Sequence, residues 1–97
     1  MKIFTIYDSK ATAYLQPFFS KTEQTAVRDV TTIVNEPNSN FNLHAEDFSL
    51  FTIGKYDEDS GKITAKNPEH IVNLIALRND NTIPNLQAIE GGKTDEE

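Results

Sequence analysis

Three neighbouring residues, His44, Glu46 and Asp47, carry the groups in this sequence best suited to catalysis or metal binding. An imidazole and two carboxylates can move protons or supply nitrogen and oxygen ligands to a cation. Their spacing alone does not create a metal site, and the second histidine, His70, is distant along the chain. We therefore favour a structural role for this segment, as the loop that precedes a strand at Phe48. We predict no catalytic residue, no metal ligand and no cofactor.

An acidic segment at residues 57–61, Asp-Glu-Asp-Ser-Gly, superficially resembles a calcium-binding loop. A helix–loop–helix calcium site requires alternating oxygen ligands and a glutamate at its twelfth position. Here Ala65, Lys66, Asn67 and Pro68 follow instead. A solvated hairpin tip is the better interpretation.

Aromatic and cationic residues alternate in two segments, a pattern that favours binding to single-stranded nucleic acid. Such proteins stack bases on aromatic rings and place cations along the phosphate backbone. The candidate residues are Lys10, Tyr14, Phe18, Phe19 and Lys21 in one segment, and Lys55, Tyr56 and Lys62 around the hairpin. The alternative is that Tyr14, Phe18 and Phe19 are core or dimer-interface residues, because one ring face cannot both pack in a core and stack on a base.

The distribution of charge opposes non-specific binding to duplex DNA. The chain has a net charge of −6, of which residues 1–78 contribute −2 and residues 79–97 contribute −4. A globally acidic protein repels phosphate at long range. The acidic terminus is interpreted either as a solubilising tail or as a segment that competes with DNA for a basic groove or recruits basic partner proteins.

The length and the composition predict one small domain without covalent or metal crosslinks. The 97 residues include no cysteine and only two histidines. A chain this short buries a limited core, and oligomerisation is the remaining common device for stabilising it. The absence of cysteine is consistent with a reducing compartment. Four apolar residues before Asp8 are too few for a signal peptide, and no run approaches a membrane span. We expect a cytosolic protein with no membrane contact.

Three segments have the composition of β-strands. Residues 2–7 and 48–56 are rich in β-branched and aromatic types, and residues 62–66 follow the acidic hairpin loop. Apolar side chains on both faces of residues 2–7 predict a central strand. Pro17 favours an edge strand or an ordered loop for residues 8–19.

Two segments predict helices. Ser20 and Glu23 have the spacing of a capping box, and apolar residues recur at three- and four-residue intervals up to Val34, before Pro37. We therefore expect a helix over residues 21–35. Asn67, Pro68 and Glu69 are typical of a helix start, which favours a short helix over residues 68–77, although a buried strand fits the same apolar run.

The order of several sequence motifs resembles that of a known viral protein. These motifs are MKIFTIYDSKA at residues 1–11, AYLQPFF at 13–19, AVR at 26–28, VNEP at 34–37, FN at 41–42 and HAEDFSLFTIG at 44–54, followed by an acidic turn and Lys62-Ile63. In this order they resemble the small nonstructural protein of gokushoviruses, a branch of the microviruses. The resemblance covers residues 1–63.

This resemblance implies a nonstructural phage protein that works in the host cell cytoplasm, in viral DNA replication or in packaging of single-stranded genomes. It supplies no catalytic residues. We expect an α+β domain over residues 1–78, with an antiparallel sheet of three or four strands, a main helix on one face and a short second helix. Residues 79–97 are expected to form an acidic, partly disordered tail. The expected functions are single-stranded DNA binding or, alternatively, contact with host or viral replication factors without DNA; self-association is expected in both.

Overall fold

The computed structural model describes residues 1–79, which form five β-strands, two α-helices and two 3₁₀ turns. The strands are β1 (Lys2–Asp8), β2 (Ala13–Tyr14), β3 (Phe18–Ser20), β4 (Phe48–Tyr56) and β5 (Ile63–Asn73). The helices are α1 (Glu23–Val34) and α2 (Asn40–Leu43), and the 3₁₀ turns span Ala45–Asp47 and Leu74–Leu77. The predicted tail beyond Asn79 lies outside the described residues.

All five strands belong to one antiparallel sheet, which confirms the α+β fold class. The order is β2-β1-β4-β5, and β3 also pairs with β1 on the same side as β2. The sheet has five strands instead of the predicted three or four, because the edge beside β1 is split into β2 and β3. Pro17 lies between the two pieces, where its missing N–H prevents a continuous ladder. The prediction of a central position for β1 is confirmed.

Helix α1 begins two residues later than predicted, and its N-cap is Thr22 rather than Ser20. The Thr22 hydroxyl accepts a hydrogen bond from the backbone N–H of Thr25 at 3.0 Å. Ser20 instead ends β3, and its Oγ is buried with no hydrogen-bond partner. The chain is still extended at Ser20 because β3 pairs with β1 there, so the capping box is wrong although the helix itself is confirmed.

The predicted helix over residues 68–77 is wrong for residues 68–73. These residues continue β5, which pairs with β4 from Tyr56↔Ile63 to Ser49↔Asn73 with two interruptions of the register. A proline is acceptable in this strand because β5 lies at the edge of the sheet, where a missing N–H costs least. Only Leu74–Leu77 turn, as a 3₁₀ helix, so the alternative strand assignment describes most of the segment.

The hydrophobic core lies between α1 and one face of the sheet. Helix α1 contributes Ala26, Val30 and Val34, spaced at four-residue intervals. The sheet contributes Phe4 and Ile6 from β1 and Phe48 and Leu50 from β4, and Leu74 closes one end. Phe4 and Leu50 are fully buried. The core is therefore one-sided, and the opposite face of the sheet is left without the helix.

The last described residues are tied to the helical layer. The Asn35 side chain donates to the carbonyl of Leu77 at 3.0 Å, and its Oδ1 accepts from the N–H of Asn79 at 2.7 Å. Arg78 donates to the carbonyl of Asn42 at 2.7 Å. These contacts hold the end of the described chain against α1 and α2.

Candidate functional site

The face of the sheet opposite α1, here called the open face, carries most of the aromatic rings outside the core. Successive side chains of a strand point to opposite faces, and directly paired residues share a face. Thr5 pairs with Phe51, and Tyr7 pairs with both Ser49 and Tyr14. Since Phe4 and Ile6 face the helix, these partners lie on the open face.

Four rings on the open face form one continuous group, here called the aromatic cluster: Tyr7, Tyr14, Phe51 and His70. The centroids of Tyr7 and Tyr14 are 4.8 Å apart, and Phe51 lies 5.6 Å from Tyr14. His70 meets Phe51 edge-on at 5.4 Å. These separations are those of stabilising aromatic pairs. The cluster spans four elements of the sheet, from β2 across β1 and β4 to β5.

A second aromatic group lies toward the other end of the open face. Phe19 pairs with Ile3 across β3 and β1, and its ring meets Tyr56 at a centroid distance of 5.5 Å. Ile63 pairs with Tyr56 and is 63% exposed. This end of the face is therefore apolar as well as aromatic.

Of the four predicted aromatic residues, two are half-exposed and two, Phe18 and Tyr56, are partly buried. Tyr14 and Phe19 are each 48% exposed. Phe18 points to the helix side, where it stacks on Phe4 at 5.8 Å and packs against the core. For Phe18 the structure matches the alternative interpretation, a core residue. For Tyr14 and Phe19 it leaves ring surface available to a ligand.

The predicted cations do not form one group. Lys21 and Lys55 line a surface depression together with Tyr56. Lys10 lies at the opposite end of the sheet, beside Asp8 and Asp47. Lys62 follows the hairpin loop, where its backbone N–H donates to the Ser60 hydroxyl at 3.3 Å. The structure thus brings together Lys21, Lys55 and Tyr56, and it separates Lys10 from them.

The sequence analysis did not identify Tyr7, Phe51 and His70 as site residues. The alternation in residues 2–7 placed Tyr7 on one face, but only the pairing of β1 with β4 brings Phe51 beside it. His70 was assigned to a helix start and lies in β5 opposite Phe51. Aromatic spacing gave no direct signal, because Phe4 and Tyr7 are three residues apart and lie on opposite faces, as do Phe48 and Phe51. The strand register was required to find these residues.

A small polar network borders the aromatic cluster. Nε2 of His70 is 2.8 Å from Oδ1 of Asn73, which also accepts from the Ser49 hydroxyl at 2.8 Å. These groups hold one edge of the His70 ring. They also provide hydrogen-bonding groups next to the stacked rings, as a site for a heteroaromatic ligand would require.

Two carboxylates on the hairpin formed by β4 and β5 have lowered pKa values. Backbone N–H groups of the hairpin loop, that of Asp59 first, stabilise the charged form of Asp57 and lower its pKa. A hydrogen bond from Lys66, at 2.6 Å from Oε1, lowers the pKa of Glu69. Both carboxylates are therefore ionised at neutral pH and engaged by groups of their own hairpin.

The ligand atoms of His44, Glu46 and Asp47 lie within 4.8 Å of one another. They occupy the end of α2 and the following 3₁₀ turn, which leads into β4 as predicted. His44 and Glu46 are exposed, and Lys10 lines the same depression as His44 and Asp47. A cation there would share the depression with Lys10, so this group is a weaker candidate than the open face.

Within residues 1–79, no helix has the length and apolar character needed to cross a membrane.

Comparison with known proteins gives one match. The model of the family described as "Phage ORF5 protein" matches residues 1–77, nearly the whole described structure. No curated protein and no solved structure matches the chain. The matched residues include both aromatic groups of the open face.

Proposed function

Because the chain belongs to the Phage ORF5 protein family, we propose that it is a nonstructural accessory protein of a gokushovirus that binds single-stranded DNA. The open face of the sheet would hold the bases during genome replication or packaging. The observation that carries this proposal is the pair of half-exposed rings, Tyr14 and Phe19, on a sheet face that α1 does not cover.

Stacking on the aromatic rings of the open face suits a single strand of any base sequence. Every base offers a π-face, so aromatic platforms bind single strands with little sequence preference, at about 1–3 kcal/mol per stacked base. The two aromatic groups lie on one surface: Phe19 pairs with Ile3 and Tyr14 pairs with Tyr7, and the buried Thr5 lies between these two pairs along β1. A flexible strand can reach both groups, whereas a duplex keeps its bases inside the helix. We therefore propose a preference for single strands.

Because the net charge is negative, base stacking should contribute more to the affinity for DNA than attraction between lysines and phosphates does. The open face carries His70 but no lysine or arginine among the residues that form its aromatic groups. Lys21 and Lys55 lie at the margin, near Tyr56. Phosphates would therefore be contacted at the edge of the site, and the salt dependence should be shallower than that of a basic-groove protein.

Fluorescence anisotropy with a labelled oligonucleotide tests this function directly. Single strands should bind more tightly than duplex at about 20 mM salt, where electrostatic contributions are largest. Phe19→Ala and Tyr14→Ala should each weaken binding by about fivefold or more, as expected for loss of one stacked base. Leu43→Ala is the matched control, because Leu43 is 53% exposed on α2, away from the sheet face.

A second function, docking of a replication protein without DNA, is favoured by the exposed Ile63 beside Tyr56. Contiguous exposed apolar patches indicate interaction surfaces, and Ile63 extends the group formed by Phe19 and Tyr56. Absence of oligonucleotide binding at low salt would reject the first function and leave this one. We propose in either case a non-catalytic role in the host cytoplasm, with self-association to be tested by sedimentation.

A further inference from the structure

One row of residues across the sheet places two lysines directly opposite each other. Lys2 of β1 pairs with Lys55 of β4, and Lys55 pairs with Thr64 of β5. Directly opposed residues on antiparallel strands have Cβ atoms about 4.5–5.5 Å apart. Like charges in that position are destabilising. The fold thus maintains a local repulsion that an apolar or acidic residue at either position would remove.

A third lysine joins this pair from another part of the chain. Lys21, in the connection between β3 and α1, lines the same depression as Lys2, Lys55 and Thr64. Among the described residues, the one ion pair between side chains joins Lys66 to Glu69. Glu69 and Glu23 line an adjacent depression with Lys2 and Lys55, and the charge of Lys2 helps to lower the pKa of Glu69. Three cations from three separate parts of the chain therefore converge on one concave surface, and none of them forms an ion pair with a carboxylate of the described residues.

The acidic residue of the depression is already engaged. Asp57 lines it too, but Oδ1 of Asp57 accepts hydrogen bonds from the backbone of Asp59 at 2.9 Å and of Ser60 at 3.4 Å. Its carboxylate is held by the hairpin loop instead of by a lysine. Asp57 reduces the positive potential of the depression without pairing any one of the cations.

We propose that Lys2, Lys21 and Lys55, with the hydroxyl of Thr64, form a binding site for a phosphate group. A phosphate oxygen between Lys2 and Lys55 would replace their repulsion by two charge-assisted contacts. Thr64 supplies a neutral donor from the adjacent strand, and Lys21 approaches from the helix side. The site shares Lys21 and Lys55 with the margin of the proposed DNA-binding surface, but it is inferred from the convergence of the lysines and not from the aromatic cluster.

The phosphate can come from two sources with the same chemistry. It is either a phosphodiester of a nucleic-acid backbone or a free phosphate, such as that of a nucleotide. Tyr56 borders the depression and also contacts Phe19 on the open face, which connects the two surfaces. A strand stacked on Phe19 could therefore place a backbone phosphate on the three lysines.

Heteronuclear NMR with the full chain separates these sources. Inorganic pyrophosphate and a short oligothymidine are added in separate titrations while the backbone amide shifts are followed. Both ligands should shift the amides of Lys2, Lys55 and Thr64. Lys55→Gln and Lys2→Gln should each weaken pyrophosphate binding severalfold and reduce the salt slope of oligonucleotide binding by about one. Lys10→Gln is the matched control, because Lys10 lines the depression at the other end of the sheet.

Each outcome decides a separate point. Shifts with pyrophosphate alone support the phosphate site and assign it to free phosphate, while they count against the proposed DNA function. DNA binding whose salt slope is the same in Lys55→Gln, Lys2→Gln and Lys10→Gln would reject the site and leave the DNA function intact. Pyrophosphate shifts spread equally over all lysines would also reject the site. Retained amide dispersion in the variants shows that their fold is preserved.

Discussion

Phe18 and Phe19 are adjacent residues of the same type with opposite environments. In a strand their side chains point to opposite faces, so Phe18 stacks on Phe4 in the core and Phe19 remains 48% exposed beside Tyr56. A shift of one residue in the register of β3 would exchange them. The single-strand site therefore depends on the pairing Ile3↔Phe19 rather than on aromatic composition alone.

Gly54 is required by a close approach between β4 and β5. A Cβ at this position would lie 2.5 Å from the backbone carbonyl oxygen of Thr64, closer than real Cβ contacts. Gly54→Ala should therefore destabilise the domain by about 1–3 kcal/mol, since the strands must separate to admit the methyl group. The free energy of unfolding in urea, followed by circular dichroism, measures the change.

Gly61 provides the comparison for that prediction. It has a φ of +76° and nothing lies within 4 Å of its would-be Cβ, so its requirement is conformational. Asparagine tolerates the left-handed region, and Gly61→Asn should change the unfolding free energy much less than Gly54→Ala. Equal effects of the two substitutions would show that the close approach at Gly54 does not restrict the sheet.

At the scale of elements, Thr22 caps the start of α1, whereas Ser20 has the spacing of a capping box but does not cap the helix. The Thr22 hydroxyl accepts from the N–H of Thr25 and lies 2.9 Å from its hydroxyl. The Ser20 hydroxyl is buried and unpaired. Two hydroxyl residues two positions apart thus have opposite expected contributions to stability.

Thr22→Ala should destabilise the domain by about 1 kcal/mol, the usual cost of losing an N-cap. Ser20→Ala should be neutral or slightly stabilising, because it removes a buried hydroxyl that has no partner. Thermal unfolding of both variants under identical conditions gives the comparison. A larger loss with Ser20→Ala than with Thr22→Ala would restore the capping box and contradict this geometry.

The elements differ in how far the sequence specifies them, for identifiable reasons. Strands β1 and β4 were predictable because their β-branched and aromatic residues alternate between two faces. The first part of β5 was predicted as a strand over residues 62–66, but residues 68–73 were not. Asn67, Pro68 and Glu69 match a helix start as well as an edge strand, and only the pairing with β4 decides between them. The residues of the candidate site were also predictable only in part, because strand pairing brings some of them together. Tyr14 and Phe19 were identified from local composition, whereas Phe51 and His70 join the cluster only through strand pairing.

For the whole molecule, the uneven distribution of charge determines how a polyanion would approach. Residues 1–78 have a net charge of −2, and the remaining residues contribute −4. The aromatic cluster contains no lysine, arginine or carboxylate, while Lys2, Lys21 and Lys55 meet at one end of the sheet. Charge should therefore control the rate of encounter with DNA more than the lifetime of the stacked complex.

Substitution of acidic residues near the end of the chain tests whether charge controls the association rate with DNA more than the lifetime of the complex. Replacing Glu90, Asp95, Glu96 and Glu97 by their amides changes the net charge from −6 to −2. Repulsion of a single strand falls with that charge, so association at about 20 mM salt should accelerate severalfold, and the gain should largely disappear near 0.15 M salt, where the Debye length is about 8 Å. Stopped-flow anisotropy measures both rate constants, and the dissociation rate should stay nearly constant.

The matched control replaces Glu36, Glu46, Asp47 and Asp29 by amides, which changes the net charge equally but within the described domain. An equal acceleration in both variants would mean that net charge alone sets the encounter rate. A larger effect of the terminal residues would show that they compete with DNA for the cationic end of the sheet, and no acceleration in either would contradict electrostatic control.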